Sequence, residues 1–345
     1  MRRAGKAPSI KDVAALAKVS VPTVSRYLNA PERVSEGKRE TIARAIQVLG
    51  YRPNAIARAL VREQSHACAI LTTNTVLYGQ SQTIQGIEFA ARDSGYSLTI
   101  GVLAQDGRDG LKHSVDAVLD HNPAGVALLD FDEFGDQVLS MLPVGLPKVV
   151  VAGERRSDVA QISMSEREGG RLITEHLLSC GARDVRMVGI PGGGGANGRV
   201  DGWREACEAA GLPTHAPLES GWDSDSARSV GRTLGRDPQV QAVFAGNDET
   251  AMGVIRGLND EGRRVPQDVI VAGFDDHPIA RIWNPSLTTI RQDFQSAGRQ
   301  AFAMLLPMIE DVAAGREHGE SWTAFRRLEG ELIVRESTGM SSQSD

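Results

Sequence analysis

The sequence predicts a small all-α head followed by a larger α/β body. The first 65 of its 345 residues contain three short segments with helical spacing of apolar residues. From residue 66, short apolar runs alternate with amphipathic stretches, a pattern typical of parallel sheets covered by helices. The charge changes at the same point, because residues 1–65 hold 13 Lys and Arg against 5 Asp and Glu, and the remainder hold 25 against 39. A basic head on an acidic body indicates binding to a polyanion, although a solvated basic face is the alternative.

The first helix of the head is predicted to follow Ser9. Asp12 lies three residues later, at the spacing of a capping box, and Val13, Leu16 and Ala17 are expected to form the buried stripe. The segment AKVS (17–20) forms a tight connection to the next helix.

Ser20 is placed to cap that second helix, and Pro22 lies in its first turn, where a missing N–H costs little. Val24, Tyr27 and Leu28 are expected to face inward. A third helix, capped by Ser35, runs to Gly50. Three such helices predict a helix-turn-helix unit, which inserts its second helix into the DNA major groove.

The segment YRPNAIARALVREQS (51–65) follows the head. Pro53 is expected to end a stretch of extended chain, and Asn54 can cap the helix that follows. That helix, AIARAL, is too short to be stable in water by itself. The segment is therefore either an idle linker or a piece of chain that orders only when bound.

The run SIKDVAALAKVSVPTVSRYLNAPERVSEGKRETIARAIQVLGYRPNAIARAL resembles the DNA-binding head and hinge of the lactose-repressor/galactose-repressor (LacI/GalR) family. The resemblance implies that the second helix reads base edges and that paired hinge helices push Leu60 into the minor groove. The residues it assigns to DNA are Ser20, Val21, Pro22, Thr23, Ser25, Arg26, Asn29, Asn54 and Leu60. Val21 and Pro22 cannot hydrogen-bond a base, so they are expected to make apolar contacts, and Arg26 most of the polar readout.

The body reads as strands ACAILTT, SLTIGVLA, GVALLDF, KVVVAG, VRMVGI, AVFAGN and VIVAGFDD with helices between them. These patterns alone leave one large or two smaller doubly wound domains possible, with ligands at the carboxyl ends of the strands. PSLTTIRQDF (285–294) and GNDETAMGVIRGL (246–258) resemble the effector-binding core of the same family, which is similar to periplasmic sugar-binding proteins. The resemblance implies two Rossmann-like subdomains joined by three crossing strands.

The expected boundaries follow from this resemblance. They are a DNA-binding domain at 1–52, a hinge at 53–65, an effector-binding and dimerisation domain at 66–340, and a polar tail at 341–345. Within the body, the expected subdomains are 66–163 with 293–325, and 164–292 with 326–340.

The resemblance also places a small-molecule site in the cleft between the subdomains. The four strongest expectations are Asn247 and Asp275 at strand ends, Arg199 at a helix start, and Trp222, whose indole could cover a sugar ring. The weaker wall candidates are Thr73, Tyr78, Met164, Gln292 and Phe294.

Each strong candidate also has a structural interpretation. Asp275 could cap a helix, Arg199 could pair on the surface with Asp201 or Glu205, and Trp222 could be core packing. All of them being structural is disfavoured because they converge on the cleft that the fold predicts.

The glycine-rich segment GGGGANG (192–198) contains a literal G-x-G-x-x-G, with Glu219 about twenty residues later, as in a dinucleotide fingerprint. Its position in the middle of the chain argues against a nucleotide site, and the family has a variable loop there. No zinc, phosphate-loop or catalytic motif appears, so neither a cofactor, a metal nor an enzyme activity is expected. Three distant cysteines and the lack of a signal peptide or membrane-spanning run predict a cytoplasmic protein.

These observations predict a homodimeric transcriptional regulator, and more specifically a repressor. It would bind a pseudo-palindromic operator and respond allosterically to a sugar-like effector. The final residues GMSSQSD carry no leucine heptads, which favours a dimer over a tetramer. The alternatives are a sugar-binding protein without gene regulation and a nucleotide-dependent oxidoreductase.

Overall fold

The chain is described by a computed structural model. It covers residues 8–51, 65–131, 134–152, 155–191, 198–316 and 319–339. The chain divides into two compact units, Met1–Ser65 and His66–Asp345. We refer to them as the head and the body.

The head contains three helices, α1 (Ile10–Leu16), α2 (Val21–Asn29) and α3 (Glu36–Leu49). The capping box predicted at Ser9 is present: the Ser9 backbone N–H donates to the Asp12 carboxylate at 2.8 Å, and the Ser9 hydroxyl accepts from the Asp12 N–H. The Ser20 hydroxyl accepts from the Thr23 N–H at 3.3 Å and so caps α2, whereas Ser35 makes no side-chain cap at α3.

The core of the head is small. Val13, Val24 and Ile42, one from each helix, are completely buried in it. The prediction that Leu16 is buried was wrong, because its side chain is 49% exposed and Ala14 takes the inward position. Positions 13, 14 and 17 lie on one face of a helix, and position 16 lies beside that face.

The first subdomain of the body is built on a parallel sheet of six strands in the order β11-β5-β4-β3-β1-β2. The strands are β1 (Ala67–Thr72), β2 (Ser97–Val102), β3 (Val126–Asp130), β4 (Lys148–Ala152), β5 (Ala160–Met164) and β11 (Phe325–Leu328). β1, β3 and β4 are almost completely buried because helices cover both faces of the sheet.

Two helices pack on each face of this sheet. One face carries α4 (Tyr78–Asp93) and α11 (Phe294–Ala313), and the other carries α5 (Arg108–Leu119) and α6 (Gly135–Met141). α4 and α11 touch through Gly86 and Gly298, where a Cβ atom would collide with the backbone of the opposite helix. The two helices that begin at Tyr78 and Phe294 are therefore packed backbone against backbone.

The second subdomain has a parallel sheet of four strands in the order β7-β6-β8-β9. The strands are β6 (Val185–Gly189), β7 (Leu218–Glu219), β8 (Ala242–Ala245) and β9 (Ile270–Ala272). The covering helices are α7 (Glu166–Ser179) and α8 (Gly198–Ala209) on one face, and α9 (Ser224–Gly235) and α10 (Asp248–Asp260) on the other.

The chain passes three times between the subdomains. It leaves the first sheet after β5, returns after β10 (Thr289–Arg291), and leaves again between β11 and β12 (Glu331–Ile333), which pairs antiparallel with β10. The expected third boundary at 325/326 falls too early, because residues 326–328 pair with β5 in the first sheet.

Candidate functional site

An open cavity lies between the two subdomains of the body, at the carboxyl ends of their strands. We call it the cleft cavity. Parallel sheets direct loops and helix N-termini toward this edge, and ligands of such folds bind there. Its walls are formed by Leu77, Tyr78, Gly79, Gln80, Phe131, Ile190, Trp222, Asn247, Glu249, Asp275 and Phe294.

The first subdomain contributes an aromatic wall to the cleft cavity. The rings of Tyr78 and Phe131 lie 6.0 and 6.2 Å from the ring of Phe294, in edge-to-face arrangements. Trp222, from the second subdomain, is 43% exposed, so the core-packing interpretation of this residue was wrong. An exposed indole beside a cluster of rings provides apolar surface for the face of a ligand.

The second subdomain contributes most of the polar groups. Asn247 follows β8 and caps α10, with its side-chain oxygen accepting from the Thr250 N–H at 2.8 Å. This bond holds the side chain in place and leaves its amide N–H groups for another partner. Asn247 therefore serves both the helix and the cavity wall.

Asp275 and Arg199 form a buried ion pair behind this wall. The Arg199 guanidinium lies 3.3 Å from the Asp275 carboxylate and 3.0 Å from the Glu166 carboxylate, and it also donates to the Gly246 carbonyl. It stacks on the Phe274 ring at 4.2 Å. The surface pairing of Arg199 with Asp201 or Glu205 was wrong, because those carboxylates pair with other arginines.

The position of Asp275 is unusual in backbone and charge. Its φ of 102° lies in a region that favours glycine, and its N–H donates to the Ile290 carbonyl at 2.7 Å, so it is not a helix cap. Burial raises the pKa of its carboxyl to about 7, against the opposing effect of Arg199. This carboxyl is therefore protonated more readily than that of an exposed aspartate.

A second buried carboxyl lies next to the polar wall. Asp248 accepts from the Thr289 hydroxyl at 2.7 Å and from the His277 N–H at 2.6 Å, and burial raises its pKa well above the usual value. The His277 ring lies 4.7 Å from the Tyr78 ring. Because Tyr78 belongs to the first subdomain and His277 to the second, this contact links the two walls.

Five of the sequence-predicted residues line the cleft cavity: Tyr78, Trp222, Asn247, Asp275 and Phe294. Arg199 reaches it through Asp275. Thr73, Met164 and Gln292 lie outside the lining, with Met164 buried in the core of the first subdomain.

Sequence reasoning missed Gln80, Phe131 and Glu249. Phe131 comes directly after β3 and Glu249 shortly after β8, so the rule that sites lie at strand ends could have found both. Gln80 lies inside the first turn of α4, and nothing in the sequence distinguishes it from a surface residue.

The head presents the residues that its sequence assigned to DNA at the N-terminal end of α2. Ser20, Val21, Pro22 and Arg26 are exposed, and Thr23 and Ser25 are half-buried. Asn29 is the last residue of α2, while Asn54, Leu60 and most of the glycine-rich segment lie outside the described residues.

The described residues contain neither a cluster of side chains suited to a metal ion nor a helix long and apolar enough to cross a membrane. Cys68 and Cys207 are buried and Cys180 is exposed, all three as free thiols.

Comparison with known proteins gives a consistent result over both units. Residues 9–54 match the family described as bacterial regulatory proteins, lacI family, and residues 174–338 match the periplasmic binding protein-like domain. The HTH-type transcriptional regulator CelR of Thermobifida fusca is 32% identical, over 96% of this chain and 98% of CelR. The HTH-type transcriptional repressor PurR of Vibrio parahaemolyticus is 31% identical, over 95% of this chain and 97% of PurR.

Solved structures show the same similarity. A lac repressor dimer bound to operator and the anti-inducer ONPF has a TM-score of 0.86 at 27% identity, covering 96% of this chain and 99% of that chain. A complex of the transcriptional regulator CelR with cellobiose has a TM-score of 0.68 at 28% identity, covering 96% and 99%.

Proposed function

This chain belongs to the lacI family of bacterial regulatory proteins, and we propose that it is a homodimeric repressor controlled by a sugar or similar polyol in the cleft cavity. It is a DNA-binding transcriptional regulator, like the relatives that match it over nearly their whole length. Its site of action is the cytoplasm, where its DNA is.

The observation that carries the effector proposal is the composition of the cleft cavity. The second subdomain contributes the Asp275 carboxyl and the Asn247 carboxamide, and the first subdomain contributes the Gln80 carboxamide together with the rings of Tyr78 and Phe294. Carboxylates and amides hydrogen-bond the hydroxyls of a sugar, while rings cover its C–H faces. The cellobiose complex of a structural neighbour supports this ligand class.

Homodimerisation is proposed because one head offers a single recognition helix. Two heads related by twofold symmetry would read two half-sites of a pseudo-palindromic operator. The exposed apolar side chains of Val21 and Pro22 suit thymine methyl groups, and the exposed Arg26 suits a guanine.

The proposed coupling works through differential binding. The effector binds more strongly to one arrangement of the two subdomains, and that arrangement alters the hinge (53–65), so that Leu60 either inserts at the operator centre or does not. Linkage then requires operator DNA to change effector affinity by the same factor. If operator DNA leaves effector affinity unchanged, this coupling does not exist.

The test is fluorescence anisotropy of the purified protein on DNA from its own upstream region, titrated with and without cellobiose and other sugars. We expect tight, salt-sensitive binding that one sugar shifts by about tenfold or more, or about 1.4 kcal/mol. The test variant is Asp275→Asn. It should bind the same DNA as the unmodified protein but lose the sugar response. Binding that no sugar alters would refute the effector proposal, and failure to bind DNA at low salt would refute the operator proposal.

A further inference from the structure

We propose that the cleft cavity rejects anionic effectors, that Glu249 imposes this selection, and that the accepted ligand is an uncharged or cationic compound rich in hydrogen-bond donors. An unmodified sugar and an amino sugar belong to this class, whereas a sugar phosphate or a sugar acid does not. The inference rests on the proposed function of the cavity as the effector site.

Negative charge predominates among the described residues around the cleft cavity. Among the described residues, the lining of the cleft cavity contains two carboxyls, Asp275 and Glu249, and neither Lys nor Arg. The nearest cation, Arg199, is already shared between Asp275 and Glu166 and is buried behind the wall. The described residues around the cavity therefore carry more negative than positive charge.

Glu249 differs from the other carboxylates in this region. Asp276 pairs with Arg291 and Arg335 at 2.8 and 2.7 Å, so its charge is compensated. The Glu249 side chain forms no ion pair with a described residue, and its Oε2 atom is buried without a hydrogen-bond partner. Its charge is thus the one that a ligand in the cavity meets without compensation from the described protein groups.

Two side-chain acceptors at the cleft cavity lack hydrogen-bond partners among the described residues. Gln80 is only 4% exposed, and its side-chain oxygen lacks a hydrogen-bond partner although the residue lines the cavity. The Oε2 atom of Glu249 is in the same situation. Buried acceptors without partners are costly, and a ligand that brings hydroxyl or amine donors removes this cost. A phosphate or carboxylate group brings acceptors and a like charge, so it satisfies neither atom.

The charge claim can be tested without knowing the effector, because Trp222 is exposed on the cavity wall. Quenching of Trp222 fluorescence by caesium, iodide and neutral acrylamide is measured, and the signal of Trp222→Phe is subtracted to remove the other three tryptophans. The quenching by each ion is normalised to its quenching of free N-acetyltryptophanamide, because caesium is intrinsically a weaker quencher than iodide. On this scale, and relative to acrylamide, caesium should quench Trp222 more strongly than iodide. Glu249→Gln should lower the caesium-to-iodide ratio by about threefold or more.

The matched control is Glu208→Gln, the same substitution at an exposed position of α8 outside the cavity lining. It should leave the ratio unchanged, and circular dichroism should show all variants folded. Equal normalised quenching by iodide and caesium in the unmodified protein, or a ratio unaffected by Glu249→Gln, would overturn the inference.

The second arm compares cellobiose with its acid, cellobionate, as effectors in the anisotropy assay. We expect cellobiose to be bound at least about tenfold more tightly, and Glu249→Gln to reduce that preference. Equal binding of the two compounds by the unmodified protein would overturn the inference. If neither compound nor any other sugar acts, the proposed function fails, while the quenching result still decides the charge claim.

Discussion

Replacing Gly298 by alanine tests the closest contact between the two helices that begin at the cleft cavity. A Cβ atom at this position would lie 2.8 Å from the Ile87 nitrogen and 3.0 Å from the Gly86 Cα atom, and closer still to the Thr83 carbonyl oxygen. All three atoms belong to the backbone of α4. The clash therefore cannot be relieved by rotating a side chain, and α4 and α11 must move apart.

The expected cost follows from two opposing effects. The shortest of these contacts, with the Thr83 carbonyl oxygen, must open to about 3.4 Å, where ordinary contact begins. Overpacking of this kind costs roughly 1–3 kcal/mol, and a rigid backbone obstacle places it at the upper end. Alanine recovers about 1 kcal/mol of helix propensity relative to glycine. We therefore expect Gly298→Ala to destabilise the body by about 2 kcal/mol, or to lower its Tm by about 4 °C or more.

The assay is thermal unfolding by calorimetry, with Gly110→Ala as the matched control. Gly110 is a helical glycine of α5 in the same unit, and the atoms nearest to its Cβ position belong to the carboxylate of the exposed Asp106, which can rotate away. The control should be neutral or more stable by up to about 1 kcal/mol. If Gly298→Ala behaves like Gly110→Ala, the two helices separate freely and the argument from close packing is refuted.

Three further predictions concern the head and the polar wall. Ser9→Ala removes the capping box of α1 and should cost the head about 1 kcal/mol, seen as a lower midpoint of head unfolding by circular dichroism; an unchanged midpoint would contradict it. Arg26→Ala should weaken operator binding by about 1–3 kcal/mol and relax the base preference at one position per half-site. An equal loss of affinity for all DNA sequences would mean that Arg26 contacts only phosphate. Asp275→Asn tests the carboxyl whose pKa is raised from 3.8 to about 7. Between pH 4 and pH 7 the folded protein keeps a proton that the unfolded chain releases. The free energy of unfolding of the unmodified protein should therefore fall by on the order of 4 kcal/mol relative to that of the variant over this range. Parallel profiles of unfolding free energy against pH would refute the assignment.

The local signals of the sequence were sufficient for the head. Ser9 and Ser20 cap the helices as their spacing predicted, because a cap depends on residues within one turn. Burial depends on the neighbouring helices as well, which is why Leu16 was assigned to the core and lies outside it. The buried strands β1, β3 and β4 were found because runs covered on both faces are continuously apolar.

The edge strands and the cavity were harder to predict. β11 and β12 are short and half-exposed, and each is defined by a partner strand far away in the sequence. Asn247 and Asp275 could be placed at strand ends from the sequence. The partner of Arg199 could not, because Glu166 lies 33 residues away on a different helix. The sequence suggested neighbours within one or two turns, and the fold supplied a more distant partner.

The three passages of the chain between the subdomains also determine when this protein can fold during its synthesis. The first sheet needs β11 (Phe325–Leu328) to cover the edge of β5, and α11 (Phe294–Ala313) to cover one face. Both arrive in the last part of the chain, so a ribosome that has made residues 66–293 has produced an open strand edge and an apolar face that only α4 covers. Domains usually complete in order as they emerge, but here the first subdomain must wait for the second to be translated. A nascent chain stalled before residue 294 would therefore be a target for chaperones and a source of aggregation.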